Sequence, residues 1–332
     1  MPPLPADAAR GDADWLDAAA RLAIRARPLS RPNPAVGAIL VRDRVVVGRG
    51  WTQPGGRPHA EAVALNEAGE QARGATAYVT LEPCAHASPR GPACADRLIA
   101  AGVERVVVGV EDPDPRTAGL GLERLRAAGI AATGLDHAGS HRSLAGYLTL
   151  ASRGRPHVTL KLALSLDGCL ALGDGGSRWI TGEAARAHVH SRRALADAIL
   201  VGGGTWRSDA PRLDVRLPGL EHRSPARWVL TSRSAQDAQA IGAPEDIARM
   251  TDFQYLYVEG GARTAAALLA ADLVDRLELY RAPIVIGAGK PGIGDIGLDD
   301  LASAHGRWLP DERRELGSDV FEAYERTRCS PA

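Results

Sequence analysis

The sequence predicts an α/β protein of two domains. Short apolar runs alternate with helix-forming segments along the 332 residues, a pattern typical of layered α/β structures. The alternation begins again after a polar break that contains Gly154 and Pro156, and a chain of this length can form two separate cores. We therefore predict one domain over residues 1–150 and a second over residues 156–328.

The first domain is expected to begin with an amphipathic helix, because apolar residues recur at helical spacing between Trp15 and Ile24. Short β-branched runs then predict strands at Val36–Val41, Val45–Val47, Thr76–Leu81 and Val103–Val110. Between and after these strands, the sequence predicts helices near residues 59–69, 94–101 and 119–128.

The second domain repeats this rhythm. Its predicted strands are Val158–Leu164, Ala198–Val201, Arg227–Thr231, Tyr255–Val258 and Leu277–Ile286, with helices near residues 183–195 and 262–271. Glycine-rich turns follow two of these strands, at residues 201–205 and 258–261. Such turns suit a phosphate at a helix N-terminus, but they are equally typical of tight turns without a ligand.

Charge and composition narrow the possible partners. The 40 Lys and Arg are interspersed with 40 Asp and Glu, so no basic stripe is available for a nucleic-acid backbone, and the aromatic content of 4% disfavours base stacking. The apolar part of the N-terminal segment is interrupted by charges, which argues against a signal peptide or a membrane span. We expect a small-molecule partner and no nucleic acid or membrane.

The cysteines point to a reducing compartment. Cys84, Cys94, Cys169 and Cys329 form no pattern of a disulfide framework. We therefore expect a cytoplasmic protein.

Two of these cysteines combine with a histidine into a candidate metal site. His59-Ala-Glu61 opens a predicted helix, Glu82-Pro83-Cys84 follows a predicted strand, and Cys94 opens the next helix. One imidazole and two thiolates leave the fourth tetrahedral position of zinc open for water, and Glu61 can carry protons beside it. The pattern predicts a zinc-dependent hydrolytic deaminase.

The spacing of the cysteines departs from the usual deaminase signature. Residues 85–93 separate Cys84 from Cys94, where two residues are typical. This longer loop can reach over a substrate. It also contains His86, which as a fourth protein ligand would make the zinc site structural instead of catalytic.

Further motifs extend the interpretation to a family. Residues 31–37 (RPNPAVG), 59–61 (HAE), 80–84 (TLEPC) and 112–115 (DPDP) resemble the deaminase half of the bifunctional riboflavin-biosynthesis deaminase/reductase. The reductase half of the same family is similar to the runs 161–168, 177–182, 201–205, 209–216 and 258–261.

The resemblance implies a cytidine-deaminase-like three-layer α/β/α domain followed by a dihydrofolate-reductase-like α/β domain. The first would deaminate 2,5-diamino-6-(5-phosphoribosylamino)pyrimidin-4(3H)-one, and the second would use NADPH to reduce the ribosyl group to ribityl. A homodimer or homotetramer is implied as well.

The resemblance also assigns site residues. In the first domain it implies zinc ligands at His59, Cys84 and Cys94, a proton carrier at Glu61, and substrate contacts from Asn33, His86 and Arg90. In the second it implies NADPH contacts from Ala163, Trp179, Thr205, Asp209, Ser232 and Gly261, and substrate contacts from Ser177, Arg193, Leu213, Arg216 and Glu259.

Two features leave an alternative open. The segment between Ser232 and Tyr255 is shorter than is usual in the family, and Asp209-Ala210-Pro211 replaces its usual Asp-Asp-Pro. The alternative is an active deaminase whose second domain binds ligand or mediates assembly without reducing. Lys161 lies in an apolar strand, where it either reaches the cofactor or substrate or extends to water.

Overall fold

The computed structural model describes residues 6–86, 91–176 and 180–327. The chain divides into two compact units, Met1–Gly154 and Arg155–Ala332. Within the described ranges, no helix combines the length and the apolar character that a bilayer crossing requires.

The first unit alternates strands and helices around one five-stranded sheet. Its helices are α1 (Ala6–Ala23), α2 (Ala60–Ala68), α3 (Cys94–Ala101), α4 (Leu120–Ala127), α5 (Ala138–Ser143) and α6 (Ala145–Arg153). Its strands are β1 (Gly37–Arg42), β2 (Val45–Trp51), β3 (Thr76–Leu81), β4 (Arg105–Val110) and β5 (Ala131–Gly134). The strand order is β2-β1-β3-β4-β5, with β1 antiparallel to both neighbours and β3, β4 and β5 parallel.

Both faces of this sheet are buried, which makes three layers. In β1, Ala38 and Leu40 belong to one apolar core, and Ile39 and Val41 belong to the other, because successive strand residues point to opposite faces. The first core includes residues of α2, α3 and α4, and the second includes Leu16 of α1.

Glycines in the strands let helices approach the sheet at backbone distance. A Cβ atom at Gly50 would lie 2.0 Å from the Ala60 carbonyl oxygen, and one at Gly48 would lie 2.2 Å from the Ala64 carbonyl oxygen. Both carbonyls belong to α2, whose first turn carries Glu61. The backbone of β2 therefore sets the position of the α2 N-terminus.

The second unit is built on an eight-stranded sheet. Its helices are α7 (Glu183–Arg193), α8 (Gly203–Asp209) and α9 (Ala262–Ala270). Its strands are β6 (His157–Leu164), β7 (Cys169–Ala171), β8 (Ala198–Gly202), β9 (Ala226–Leu230), β10 (Gln239–Ile241), β11 (Tyr255–Val258), β12 (Arg276–Arg281), β13 (Lys290–Pro291), β14 (Trp308–Leu316) and β15 (Asp319–Arg326).

The order of the large sheet is β10-β9-β8-β11-β6-β12-β15-β14, and β7 pairs with β13 separately. The six neighbouring strands β10, β9, β8, β11, β6 and β12 run parallel to one another. Strand β15 is antiparallel to both of its neighbours, β12 and β14. Helix α9 packs on one face with Ala265 and Leu268, and α7 packs on the other with Ala185 and Val189.

The last part of the chain differs from the sequence-based prediction. The strand predicted to reach Ile286 ends at Arg281, two residues before Pro283, which has no N–H for a sheet hydrogen bond. The hairpin of β14 and β15 was not predicted. Most side chains of β14 are exposed, so its sequence lacks the apolar alternation that reveals a half-buried strand.

The contact between β2 and α2 yields a stability prediction. Gly50→Ala places a methyl group against the α2 backbone, so we expect it to reduce the free energy of unfolding of the first unit by about 1–3 kcal/mol. Amide hydrogen exchange of β1 and β2 in dilute denaturant measures the loss.

The matched control is Gly11→Ala in α1. A Cβ atom there meets no atom within 4 Å, and alanine favours the helix by about 1 kcal/mol. Equal effects of the two substitutions would contradict the importance of the close contact.

Candidate active sites

The two cysteines and the histidine of the sequence motif come together near the carboxyl end of β3, the middle strand of the first sheet. His59 is the residue before α2, Cys94 is the first residue of α3, and Cys84 follows β3. Their ligand atoms lie within 4.8 Å of one another, with His59 Nδ1 at 3.3 Å from Cys94 Sγ and at 3.7 Å from Cys84 Sγ. One imidazole nitrogen and two sulfurs in this arrangement fit zinc.

His86 does not belong to this group. In the part of the chain that the structure describes, the metal-ligating cluster consists of His59, Cys84 and Cys94. The Nδ1 atom of His86 instead lies 3.4 Å from the Thr117 hydroxyl. Three protein ligands are typical of a catalytic zinc site, in which one position stays open.

Hydrogen bonds prepare the sulfur of Cys84 for metal binding. The Cys94 thiol donates to Cys84 and lowers the pKa of the Cys84 thiol to about 4, with further help from His59. The Cys94 backbone N–H also donates to this sulfur, at 3.2 Å. The same hydrogen bond raises the pKa of the Cys94 thiol, so Cys84 is the first of the two sulfurs to reach the thiolate form that binds metal.

Glu61 lies beside the ligands in the first turn of α2. Its side chain is 4% exposed, and this burial raises the pKa of its carboxyl group. A buried carboxyl group with a raised pKa can both take and return a proton.

A cavity of about 490 Å³ opens over these residues. Asn33 and His86 line it, as the sequence predicted for substrate contacts, whereas Arg90 lies outside the described residues. The Asn33 side-chain amide donates to the Gly56 carbonyl at 3.0 Å and lies 3.2 Å from His59 Nε2. Asn33 is therefore held in the cavity wall beside the ligand His59.

The sequence-based assignment missed one wall of this cavity. Asp112, Asp114, Arg116 and Tyr147 line it together. The Tyr147 hydroxyl donates to Asp112 at 2.7 Å, and burial raises the pKa of Asp112. Hydrogen bonds from Arg116 lower the pKa of Asp114 to about 2. The only sequence signal of this wall was the Asp-Pro-Asp-Pro run at residues 112–115.

A second cavity, of about 350 Å³, lies in the second unit at the carboxyl ends of β6, β8 and β11. It brings together most of the positions predicted there for cofactor and substrate. The predicted residues that line it are Ala163, Thr205, Asp209, Gly261, Arg193, Arg216 and Glu259. Ligands of parallel α/β sheets bind at this end of the strands.

The centre of this cavity is a buried group of charges. The Nε and Nη2 atoms of Arg193 donate to the Glu259 carboxylate at 2.5 and 2.9 Å. Lys161 Nζ lies 3.9 Å from the same carboxylate. Burial acts to raise the pKa of Glu259, but Arg193 and Lys161 outweigh it, so the net shift is downward. Burial lowers the pKa of Lys161. Lys161 thus lines the cavity instead of extending to water.

Two of the remaining predicted positions, Leu213 and Ser232, lie elsewhere. Leu213 is 4% exposed and packs in the core beside α7, and Ser232 is exposed after β9. Neither is among the residues that line the cavity. Ser177 and Trp179 lie outside the described residues.

Family models match both units. The cytidine and deoxycytidylate deaminase zinc-binding region matches residues 10–110, and the RibD C-terminal domain matches residues 156–253 and 245–320. These matches agree with the α/β architecture of each unit and confirm the predicted fold class.

Similar proteins match nearly the whole chain. The riboflavin biosynthesis protein RibD of Escherichia coli is 38% identical in an alignment that covers 93% of this chain and 98% of that protein. RibD of Mycobacterium tuberculosis is 39% identical in an alignment that covers 87% of this chain and 90% of that protein.

Solved structures agree with these relatives. Acinetobacter baumannii RibD superimposes with a TM-score of 0.82 at 32% identity, over 96% of this chain and 99% of that one. A Thermotoga maritima diaminohydroxyphosphoribosylaminopyrimidine deaminase/5-amino-6-(5-phosphoribosylamino)uracil reductase superimposes with a TM-score of 0.83 at 29% identity, over 95% and 99%. Because similarity of this extent runs through both units, the chain belongs to the RibD family of riboflavin biosynthesis proteins.

Proposed function

We propose that this chain catalyses two consecutive steps of riboflavin biosynthesis. The first unit removes the 2-amino group of 2,5-diamino-6-(5-phosphoribosylamino)pyrimidin-4(3H)-one by hydrolysis, and the second reduces the ribosyl group of the product to ribityl with NADPH. The observation that carries the proposal is the His59, Cys84 and Cys94 cluster beside buried Glu61, in a chain similar to RibD over 93% of its length.

In the first unit, we assign the metal to His59, Cys84 and Cys94. When bound, zinc supplies the Lewis acidity that makes water a nucleophile near neutral pH. Glu61 takes one proton from the attacking water and passes it to the ring nitrogen as the C–O bond forms. It then takes the second proton from the new hydroxyl group and passes it to the amine, which leaves as ammonia when the C–N bond breaks. The substrate contacts proposed from the sequence are Asn33, His86 and Arg90, and the cavity wall adds Asp112 and Asp114, whose carboxylates can accept hydrogen bonds from pyrimidine amino groups.

In the second unit, we assign NADPH to one group of residues and the ribosyl substrate to another. The cofactor positions that line the cavity are Ala163, Thr205, Asp209 and Gly261, and the substrate positions that line it are Arg193, Arg216 and Glu259. The family resemblance alone supports the cofactor positions Trp179 and Ser232 and the substrate positions Ser177 and Leu213. When bound, NADPH supplies the hydride. Arginine forks suit the substrate phosphate, and the Glu259 carboxylate can accept from ribose hydroxyls. Lys161 lines the same cavity, where its ammonium group can donate to a ribosyl oxygen.

The family relationship favours an active second unit over one that only binds ligand. The shortened segment between Ser232 and Tyr255 holds β10 and a short 3₁₀ helix over Pro244–Arg249. None of the cavity-lining residues identified in the described chain comes from this segment. The shortening therefore leaves the charged groups of the cavity in place.

We further propose the setting in which the enzyme works. The deaminase domain spans residues 1–150, and the reductase domain spans residues 156–328. The family matches at residues 10–110 and 156–320 support these bounds. Zero net charge supports a small-molecule partner and no nucleic acid. The cysteine pattern supports the cytoplasm, and the family resemblance supports a homodimer or homotetramer.

Product analysis tests the two-step proposal. We expect zinc-loaded protein with the diaminopyrimidinone ribotide and NADPH to yield a deaminated and reduced product by mass spectrometry. Treatment with a chelator should abolish deamination but preserve reduction of separately supplied deaminated ribotide. Deaminated, unreduced product from the untreated enzyme would contradict the proposed reductase step, and unchanged ribotide would contradict the deaminase step.

Glu61→Gln tests the proton carrier. The substitution keeps the shape of the side chain but removes its proton-carrying group, so we expect deamination to fall by about 10²–10⁴-fold. Metal analysis should find zinc retained, since Glu61 is not in the ligand cluster. Normal turnover in this variant would rule out the assigned role.

Arg216→Ala tests the substrate site of the reductase. We expect its loss to raise KM for the reduction by about tenfold, because one charge-assisted contact to the phosphate disappears. Arg212→Ala is the matched control, since Arg212 also pairs with Asp214 but does not line the cavity. The rates of deamination and reduction, measured separately, should show deamination unchanged in both variants. An equal effect of the two substitutions on reduction would argue against a contact from Arg216.

A further inference from the structure

Glu82 is a buried carboxylate that the catalytic assignment leaves without a role. It directly follows β3, lies two residues before Cys84, and borders the first cavity. Its side chain is 3% exposed. A buried carboxylate needs hydrogen-bond donors, and the identity of those donors indicates what it does.

Four backbone amides from one stretch of chain donate to Glu82. Its Oε2 accepts from the N–H groups of Asp112 at 3.3 Å and Gly119 at 3.0 Å. Its Oε1 accepts from Gly121 at 2.8 Å and Leu122 at 3.0 Å. One side chain therefore ties both ends of the β4–α4 loop (residues 111–119) and the first turn of α4 to the end of β3.

The close packing between the start of α4 and the end of β3 is also evident from Gly121, in the first turn of α4. A Cβ atom at this position would lie 2.1 Å from the Pro83 carbonyl oxygen and 3.0 Å from Glu82 Oε1. The start of α4 therefore packs against residues 82 and 83 at a distance that only glycine permits. This steric observation does not depend on the hydrogen bonds.

The β4–α4 loop carries the wall of the cavity that faces the metal ligands. Asp112, Asp114 and Arg116 all belong to it. Because Glu82 lies two residues from Cys84, it joins this wall to the strand end that carries a metal ligand.

We infer that Glu82 is a positioning residue, which holds Asp112 and Asp114 at a set distance from the zinc site and so determines how the pyrimidine amino groups are bound. Both of its oxygens are already occupied by backbone donors, so it does not carry protons in the reaction. The inference rests on the proposed function of the first unit.

Glu82→Gln tests this role. A glutamine presents an NH₂ group to two of the four backbone donors, so the loop loses part of its attachment. We expect KM for deamination to rise by about tenfold or more, with kcat changed by less than about threefold. Zinc content, measured by metal analysis, and the rate of reduction should stay unchanged.

The matched control is Asp12→Asn in the same unit. Asp12 is also buried and accepts hydrogen bonds from Tyr78 and Arg105, but it borders neither cavity. It reports what the loss of a buried carboxylate does to stability alone. A KM increase of the same size in both variants would overturn the inference, as would a collapse of kcat at unchanged KM in Glu82→Gln.

A binding measurement separates this inference from the proposed function. Calorimetric titration of the Glu61→Gln variant with the diaminopyrimidinone ribotide reports affinity without turnover. Adding Glu82→Gln should raise the Kd for the ribotide by about tenfold. An unchanged Kd would overturn the positioning role even if the wild-type enzyme turns over normally. If Glu82→Gln does not fold, Gly121→Ala displaces the same loop from the opposite side, and the same loss of affinity is expected.

Discussion

The active site of the first unit depends on how closely helix α2 approaches the sheet. His59 and Glu61 lie at the start of this helix, whereas Cys84 leaves β3 and Cys94 opens α3. Metal–ligand distances tolerate errors of only about 0.2 Å, so three separate elements must be placed with that accuracy. Glycines in β2 and alanines in α2 fix the first of these elements by bringing backbone against backbone, where no flexible side chain can absorb a shift.

The two units stabilise buried carboxylates in different ways. In the first, Glu82 is surrounded by backbone N–H groups, which fix the course of a loop. In the second, Glu278 is fully buried and accepts from Arg192, Arg276 and the Tyr257 hydroxyl. Arg192 is adjacent to Arg193, which binds Glu259 in the cavity. Because a buried charge that loses its partner is costly, both arrangements hold site residues in a single geometry.

The zinc site could be predicted from the sequence, because few residue types bind zinc and each appears beside a recognisable element boundary. The fold class and most strands were also predictable, since their apolar runs are local signals. The cavity wall formed by Asp112 and Asp114 could not be predicted, because its position depends on hydrogen bonds to Glu82. Glu82 lies 30 residues before Asp112 in the sequence. The pairing of Arg192 with Glu278 likewise spans 86 residues of sequence and involves no periodic pattern.

The segment between Ser232 and Tyr255 lies at the periphery of the second sheet, away from the cavity. β10 is an edge strand of the eight-stranded sheet, three places from β11 and four from β6. The cavity is formed where the central strands end: Lys161 and Ala163 lie on β6, and Glu259 and Gly261 directly follow β11. Hydrogen bonds on both sides hold each central strand, whereas an edge strand is held on one side. A change of length at this edge would therefore alter the periphery of the sheet and leave the strands that carry the charged cavity residues supported on both sides.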